Sequence, residues 1–108
     1  MPAEPGPTFN VAVETAAWVN NFIDGSAAGT REHHVPAHPG DTVRDVLQRL
    51  TEGHSRLREA LWAQDGRTLG EHIEVIVNDE VLGVVHTLDT AVEPTDRILL
   101  VGQFIGGR

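Results

Sequence analysis

The residues that could do chemistry most directly stand near the end of the chain. Gly106 and Gly107 precede the last residue, Arg108. Neither glycine has a β-carbon, so the segment accepts unusual backbone angles and fits a narrow channel. A chain terminus used as a reagent must thread into another protein's active site, and a di-glycine suits that use. The absence of Cys excludes disulfides, thiolate catalysis and Cys-ligated zinc. All eight basic residues are Arg. Apart from the N-terminus, then, the chain carries no amine that an activated C-terminus could acylate.

The other reactive side chains make no strong pattern. Of the six histidines, His34 and His38 are four apart, but the sequence puts them on a strand and a loop instead of one helix face. His33, His54, His72 and His86 are scattered. No metal site is expected, because a bare His pair without Cys or a Glu motif is weak. Gly25-Ser26 and Gly53-His54-Ser55 read as turn and cap chemistry, and no G-x-S-x-G nucleophile turn is present. The glycines form neither G-x-G-x-x-G nor a P-loop, so no nucleotide cofactor is expected on the chain itself. Glu14, Glu32, Glu52, Glu59, Glu71 and Glu80 are spread out and read as solvated surface. Trp18 and Trp62 read as core or partner contacts. No catalytic residues are assigned.

Bulk properties narrow the partners. A length of 108 residues fits one domain. Sixteen acidic residues against eight basic ones give a net charge of −8. That excludes nucleic acid as a natural partner, since phosphates need Lys and Arg to neutralise them. A basic protein surface fits better, and the charge would speed its encounter. Residues 1–7, Met-Pro-Ala-Glu-Pro-Gly-Pro, have neither a basic start nor an apolar run. They read as a disordered lead-in and not as a signal peptide. No segment approaches the roughly 20 apolar residues of a membrane span. A cytoplasmic protein is expected.

The elements that must position the tail can be read from periodicity. Phe9, Val11 and Val13 alternate with polar or small residues, which predicts a strand with one apolar face. Apolar character continues through Trp18, Val19, Phe22 and Ile23, so that strand is expected to be long or bulged. Residues 24–29 read as a loop, and Thr30 to Ala37 as a second strand closing a hairpin. Thr42 and Asp45 form a capping-box pattern at a helix start. Val43, Val46, Leu47 and Leu50 then fall on one stripe, with Arg44, Asp45, Gln48 and Arg49 outside and Gly53 as the stop. Ser55 to Ala63 predicts a short second helix with Leu57, Leu61 and Trp62 inward. Asp65-Gly66-Arg67 is a turn. His72 to Asn78 is a third strand, Asn78-Asp79 a turn into a short strand around Glu80 to Val84, and Pro94-Thr95-Asp96 a further turn. Arg97 to Val101 is apolar at four successive positions, as expected of a strand covered on both faces at the sheet centre. Its natural neighbour is the first strand. The predicted fold is α+β: a β-grasp with a mixed four- to five-stranded sheet, one main helix across it and a short second helix. Residues 8–101 form the domain and 102–108 a flexible tail.

Several stretches resemble one family. They are Gly29-Thr-Arg-Glu-His33, Pro39-Gly-Asp-Thr-Val-Arg-Asp-Val-Leu-Gln-Arg-Leu50, Leu57-Arg-Glu-Ala-Leu61, Asp65-Gly66-Arg67, Val75-Ile-Val-Asn-Asp-Glu80 and Leu88-Asp-Thr-Ala-Val-Glu-Pro-Thr-Asp-Arg-Ile-Leu-Leu100. Their order and spacing, together with the di-glycine, resemble the ubiquitin-like sulfur carriers. That family includes the small subunit of molybdopterin synthase and the thiamine sulfur carrier. The resemblance implies that a partner enzyme adenylates the carboxylate of Gly107 with ATP and magnesium, and that a sulfur donor displaces AMP to leave a thiocarboxylate. The sulfur then passes to an acceptor on a biosynthetic enzyme. Two departures stand out. Arg108 follows Gly107 and makes its carbonyl an amide, so trimming by a protease is expected, against a remnant residue or a lost carrier function. Gly102-Gln103-Phe104 also replaces the family's proline-containing tail segment.

The last strand also suggests a docking surface. Ile98 and Leu100 are assigned to the core. Leu99 and Val101 would then form an apolar patch leading to Phe104 and Ile105 in the tail. The alternative is that the segment around Trp18 and Phe22 covers this face. Two further functions stand beside the carrier: a ubiquitin-like docking subunit of a larger enzyme, and a modifier joined to other proteins.

Overall fold

The computed structural model describes residues 8–24 and 29–102. The lead-in at 1–7 lies outside the described residues, as do the tail residues Phe104, Ile105, Gly106, Gly107 and Arg108.

Alternation builds the first hairpin. Strand β1 (Phe9–Thr15) turns Val11, Val13 and Thr15 fully inward. It pairs antiparallel with β2 (Arg31–Ala37), from Phe9 opposite Ala37 to Thr15 opposite Arg31. Between them the chain does not continue as a strand. It forms a short helix, α1 (Ala17–Asn20), whose turns run on to Asp24. Trp18, Val19, Phe22 and Ile23 are spaced one, three and one residue apart. That is the period of one helix face, not the period of two that a strand demands. Val19 is fully buried, while Phe22 and Ile23 pack against the core from its edge.

Helix α2 (Val43–Thr51) starts as its sequence specifies. The Thr42 hydroxyl accepts from the Asp45 amide, and the Asp45 carboxylate accepts from the Thr42 amide. Its stripe of Val43, Val46, Leu47 and Leu50 is buried against the sheet. Burial of that kind stabilises by about 1.5–3 kcal/mol per large apolar side chain. Gly53 lies beyond Glu52, which caps the helix in an ordinary right-handed conformation, and Gly53 is not among the residues of positive φ. The helix therefore stops without the left-handed glycine expected there. Helix α3 (Ser55–Leu61) buries Leu57, Ala60 and Leu61. Trp62 follows it inward and donates from Nε1 to the Thr51 hydroxyl at 3.2 Å, tying α3 to α2.

Strand β3 (Ile73–Val77) buries Ile73, Val75 and Val77. Asn78 and Asp79 both take positive φ, 52° and 72°, giving the two-residue turn of a tight hairpin. The following strand, β4 (Glu80–Val81), is shorter than expected. Strand β5 (Arg97–Gly102) completes a mixed five-stranded sheet in the order β2-β1-β5-β3-β4. β5 is central, parallel to β1 and antiparallel to β3. This is the arrangement expected for a β-grasp, with α1 as an added helix. β5 also runs one residue beyond its expected end, because Gly102 still pairs opposite Ile73.

Candidate functional site

Strand β5 leads directly to the di-glycine, and its two faces meet different surroundings. Ile98 and Leu100 are fully buried beneath the helices. Leu99 and Val101 alternate to the opposite face and are half-buried. There the register places Leu99 beside Glu14 of β1 and Ile76 of β3, and Ile76 in turn beside Val81 of β4. Val101 stands beside Glu74. The outcome is an apolar row of Leu99, Ile76 and Val81 with carboxylates at its margins. Arg97 pairs with Glu14 at one end of it. A shallow depression lies here between Ile76, Leu99, Asn78, Asp79, Glu14 and Arg97. Val81 is 45% exposed, and Val84 and Val85 beyond it are more so.

Trp18 lies on the other face. A β-carbon on Gly102 would point to the side that Ile98 and Leu100 share, and it would meet the Trp18 ring. Trp18 also meets Phe22 edge to face, with centroids 5.1 Å apart. With Arg56, Glu59, Ala60 and His72 these two rings line a groove between α1 and α3. The aromatic segment thus covers the helix side of the strand end, not the face that carries Leu99 and Val101.

Helix α1 is held in place by buried polar groups. The Thr15 hydroxyl donates to Asn20 Oδ1 at 2.5 Å, and Asn20 Nδ2 donates to the Gly29 carbonyl at 2.6 Å. Thr15 and Asn20 are both fully buried. His33 Nε2 lies 3.1 Å from the same Thr15 hydroxyl. The His54 ring approaches His33 edge to face at 6.4 Å. Burial, first of all, and then the neighbouring His54, Arg31 and His34 hold the His33 pKa below its ordinary value. Among the described residues, no three His, Asp or Glu side chains gather into a set that could hold a metal ion. No helix among them is long and apolar enough to cross a membrane.

No family model matches the chain, and no curated protein matches it. Solved structures do. SAMP1 from Haloferax volcanii superposes with a TM-score of 0.72 at 26% identity, covering 91% of this chain and 99% of that one. Urm1 from Trypanosoma brucei gives 0.69 at 18% identity, over 94% of this chain and 99% of that one. The BexX/CysO complex of Amycolatopsis orientalis gives 0.57 at 20% identity, over 89% of this chain and 100% of the matched one. This chain has the ubiquitin-like β-grasp fold.

Within this ubiquitin-like fold the sequence signals and the geometry meet unevenly. Leu99 and Val101 are brought together on one sheet face, as alternation along a strand requires. Ile76 and Val81 join them only through cross-strand register, which a single sequence does not display. The contact of His33 with His54 spans the hairpin and the α2–α3 junction, and the histidines had read as scattered. The helical spacing of Trp18, Val19, Phe22 and Ile23 was the one available signal for α1.

Proposed function

We propose that this protein is a sulfur carrier whose reagent is the carboxylate of Gly107. A protease first removes Arg108. A partner activating enzyme, using ATP and magnesium, then joins the freed carboxylate to AMP and releases pyrophosphate. Sulfide sulfur from a donor attacks the acyl adenylate and expels AMP, leaving a thiocarboxylate. A sulfur-accepting biosynthetic enzyme draws on that group. The chain itself supplies a reactive end and a docking surface, and holds no cofactor.

The observation that carries this reading is the placement of β5. It is the central strand, clamped between β1 and β3, and the sequence runs from its last residue, Gly102, to Gly106 and Gly107 within a few residues. A rigid root and a side chain-free end are what delivery into a partner's active site requires. The row of Leu99, Ile76 and Val81, with Val101 beside it, supports a docking role, since exposed apolar patches mark interaction surfaces. Phe104 and Ile105 would extend that surface along the tail. The acidic margin favours a partner with basic residues around its pocket.

A second reading has a specific observation behind it. The likeness to the small archaeal modifier protein 1 (SAMP1) of Haloferax volcanii favours a modifier, in which the same activated Gly107 is passed to an amine of another protein.

One measurement separates these. The intact mass of protein from its native host is taken before and after incubation with its activating enzyme, ATP and sulfide. The carrier reading expects loss of Arg108, then a gain equal to exchanging one oxygen for sulfur. Retention of Arg108 and an unchanged mass, with an enzyme active on another carrier, would overturn it. Isopeptide adducts ending in Gly107 in cell extracts would establish the modifier instead.

A further inference from the structure

We infer that the groove between α1 and α3 is a seat for this chain's own Phe104, which in the free protein ties the C-terminal residues to the domain. Trp18, Phe22 and Ala60 give the groove its apolar lining, and Arg56, Glu59 and His72 complete it. Trp18 stands 40% exposed there. An aromatic ring left open beside a groove marks a contact surface. The groove also begins where β5 ends. Trp18 lines it and at the same time lies against Gly102, the last residue of that strand.

Alternation along the strand selects the residue. Ile98, Leu100 and the β-carbon direction of Gly102 share the helix side, and the next residue of that parity is Phe104. Gln103 and Ile105 have the parity of Leu99 and Val101, on the open face. The register agrees. β5 pairs with β3 from Ile98 opposite Val77 to Gly102 opposite Ile73. Continued two steps, it would set Gln103 opposite His72, which lines the groove, and Phe104 opposite Glu71. Two extended residues span about 7 Å, so Phe104 reaches the Trp18 ring without a detour. Other segments of the chain fit less well. Residues 25–28 are Gly-Ser-Ala-Ala and carry no large apolar side chain. The lead-in has no aromatic residue and enters β1 at Phe9, whereas Leu100 and the end of β5 lie by Thr15. Those two ends of β1 are about 20 Å apart. Seated, Phe104 shields apolar surface on both rings from water and keeps Gly106 and Gly107 near the domain. A partner that takes up the tail must lift Phe104 out, which frees it to join Ile105 against that partner. The seat does not rest on what Gly107 carries.

The test is NMR and fluorescence on the full chain. Nuclear Overhauser contacts are expected between the Phe104 ring and the Trp18 indole. Phe104→Ser must shift the Trp18 indole Nε1–H and leave the Trp62 indole, bonded to Thr51, in place. It must also raise the quenching of fluorescence by acrylamide, which reports Trp18 because Trp62 is buried. Ile105→Ser, of the opposite parity, must leave the Trp18 signal where it is. Both positions lie beyond the last residue of β5, so neither change touches the core. A missing Overhauser contact, with a Trp18 signal unmoved in Phe104→Ser, overturns the proposal. An Ile105→Ser shift as large as that of Phe104→Ser does so too. Contacts between differently labelled copies in a mixed sample would give the groove to the tail of a second copy and overturn it likewise. No partner enzyme enters this test, so an empty seat leaves the carrier reading standing, and a failed mass measurement on Gly107 leaves the seat standing.

Discussion

A β-carbon on Gly102 would stand 2.7 Å from Cε3 of Trp18, closer than such atoms approach. The last residue of the central strand is therefore a glycine because the Trp18 ring lies against it. Its φ is not in the left-handed region, so the requirement is one of space and not of backbone conformation. Gly102→Ala must push the ring outward. Trp18 is already 40% exposed, which lets it yield, so the cost is expected near the low end for overpacking, about 1 kcal/mol. Chemical denaturation measures the loss, and the Trp18 indole shift reports the movement. A variant as stable as the parent with an unmoved indole would contradict this packing.

The row of Leu99, Ile76 and Val81 makes a different prediction, about partners. Leu99→Ser exchanges a half-buried apolar side chain on the open face for a polar one and leaves Ile98 and Leu100 untouched. Its melting temperature should fall by only a few degrees. On the proposed carrier reading, its affinity for an activating enzyme should fall about tenfold or more, as for a central contact of an interface. Arg56→Ala, in the groove on the opposite face, serves as the control and should bind as the parent does. Equal affinities for parent and Leu99→Ser, by calorimetric titration, would remove this face from the docking surface.

Much of this architecture could be read in advance because it rests on local rules. Thr42 and Asp45 announce a helix start by chemistry confined to four residues. The stripe from Val43 to Leu50 and the alternation from Ile73 to Val77 each imply one buried face. The four apolar residues of β5 imply a central place, which the strand has, and cover on both faces, which it lacks, since Leu99 and Val101 stay half-buried on the open face. What escaped depends on distance in the fold. The run from Trp18 to Ile23 is apolar enough to pass for more strand, and its helical spacing is short. The meeting of Gly102 with Trp18, and of His33 with His54, joins residues far apart in sequence. Only packing brings them together. The row of Leu99, Ile76 and Val81 escaped in part for the same reason, since Ile76 and Val81 reach Leu99 through register.

The capping box at α2 should be worth a measurable amount alone. Thr42→Ala removes the acceptor for the Asp45 amide, and an unsatisfied helix start costs about 1 kcal/mol. Thr42→Ser keeps the oxygen and should restore most of the loss. Urea denaturation of the three proteins tests both statements. A Ser variant as weak as the Ala variant would assign the effect to the threonine methyl group.

Thr51 makes an analogous case inside the core. It is nearly fully buried, donates to the Leu47 carbonyl at 3.0 Å and accepts from the Trp62 indole at 3.2 Å. Thr51→Val keeps the shape but leaves that indole N–H without its partner, at a cost of about 1–3 kcal/mol. Trp62→Phe in the same background removes the orphaned donor. The coupling between the two changes in a double-mutant cycle should therefore be clearly non-zero. Simple additivity would show that the bond contributes nothing.

Asp41 gives the clearest pH dependence. Its carboxylate accepts from the His38 amide at 2.8 Å and from Arg49 at 3.2 Å, while Arg49 also donates to the Pro36 carbonyl at 2.6 Å. β2 and the start of α2 are joined through these two side chains. The His38 amide first, and then Arg49, hold the Asp41 pKa below its usual 3.8. The folded state thus binds the proton less readily than the unfolded state. The stabilisation is fully present above 3.8 and is lost as pH falls through the depressed value. Asp41→Asn removes the charge at every pH. It should cost about 1 kcal/mol at pH 7, and the gap to the parent should close as pH is lowered through that window. Urea midpoints of both proteins measured from pH 7 down to 2.5 decide the matter, and curves that stay parallel throughout would mean that the Asp41 charge does not join these elements.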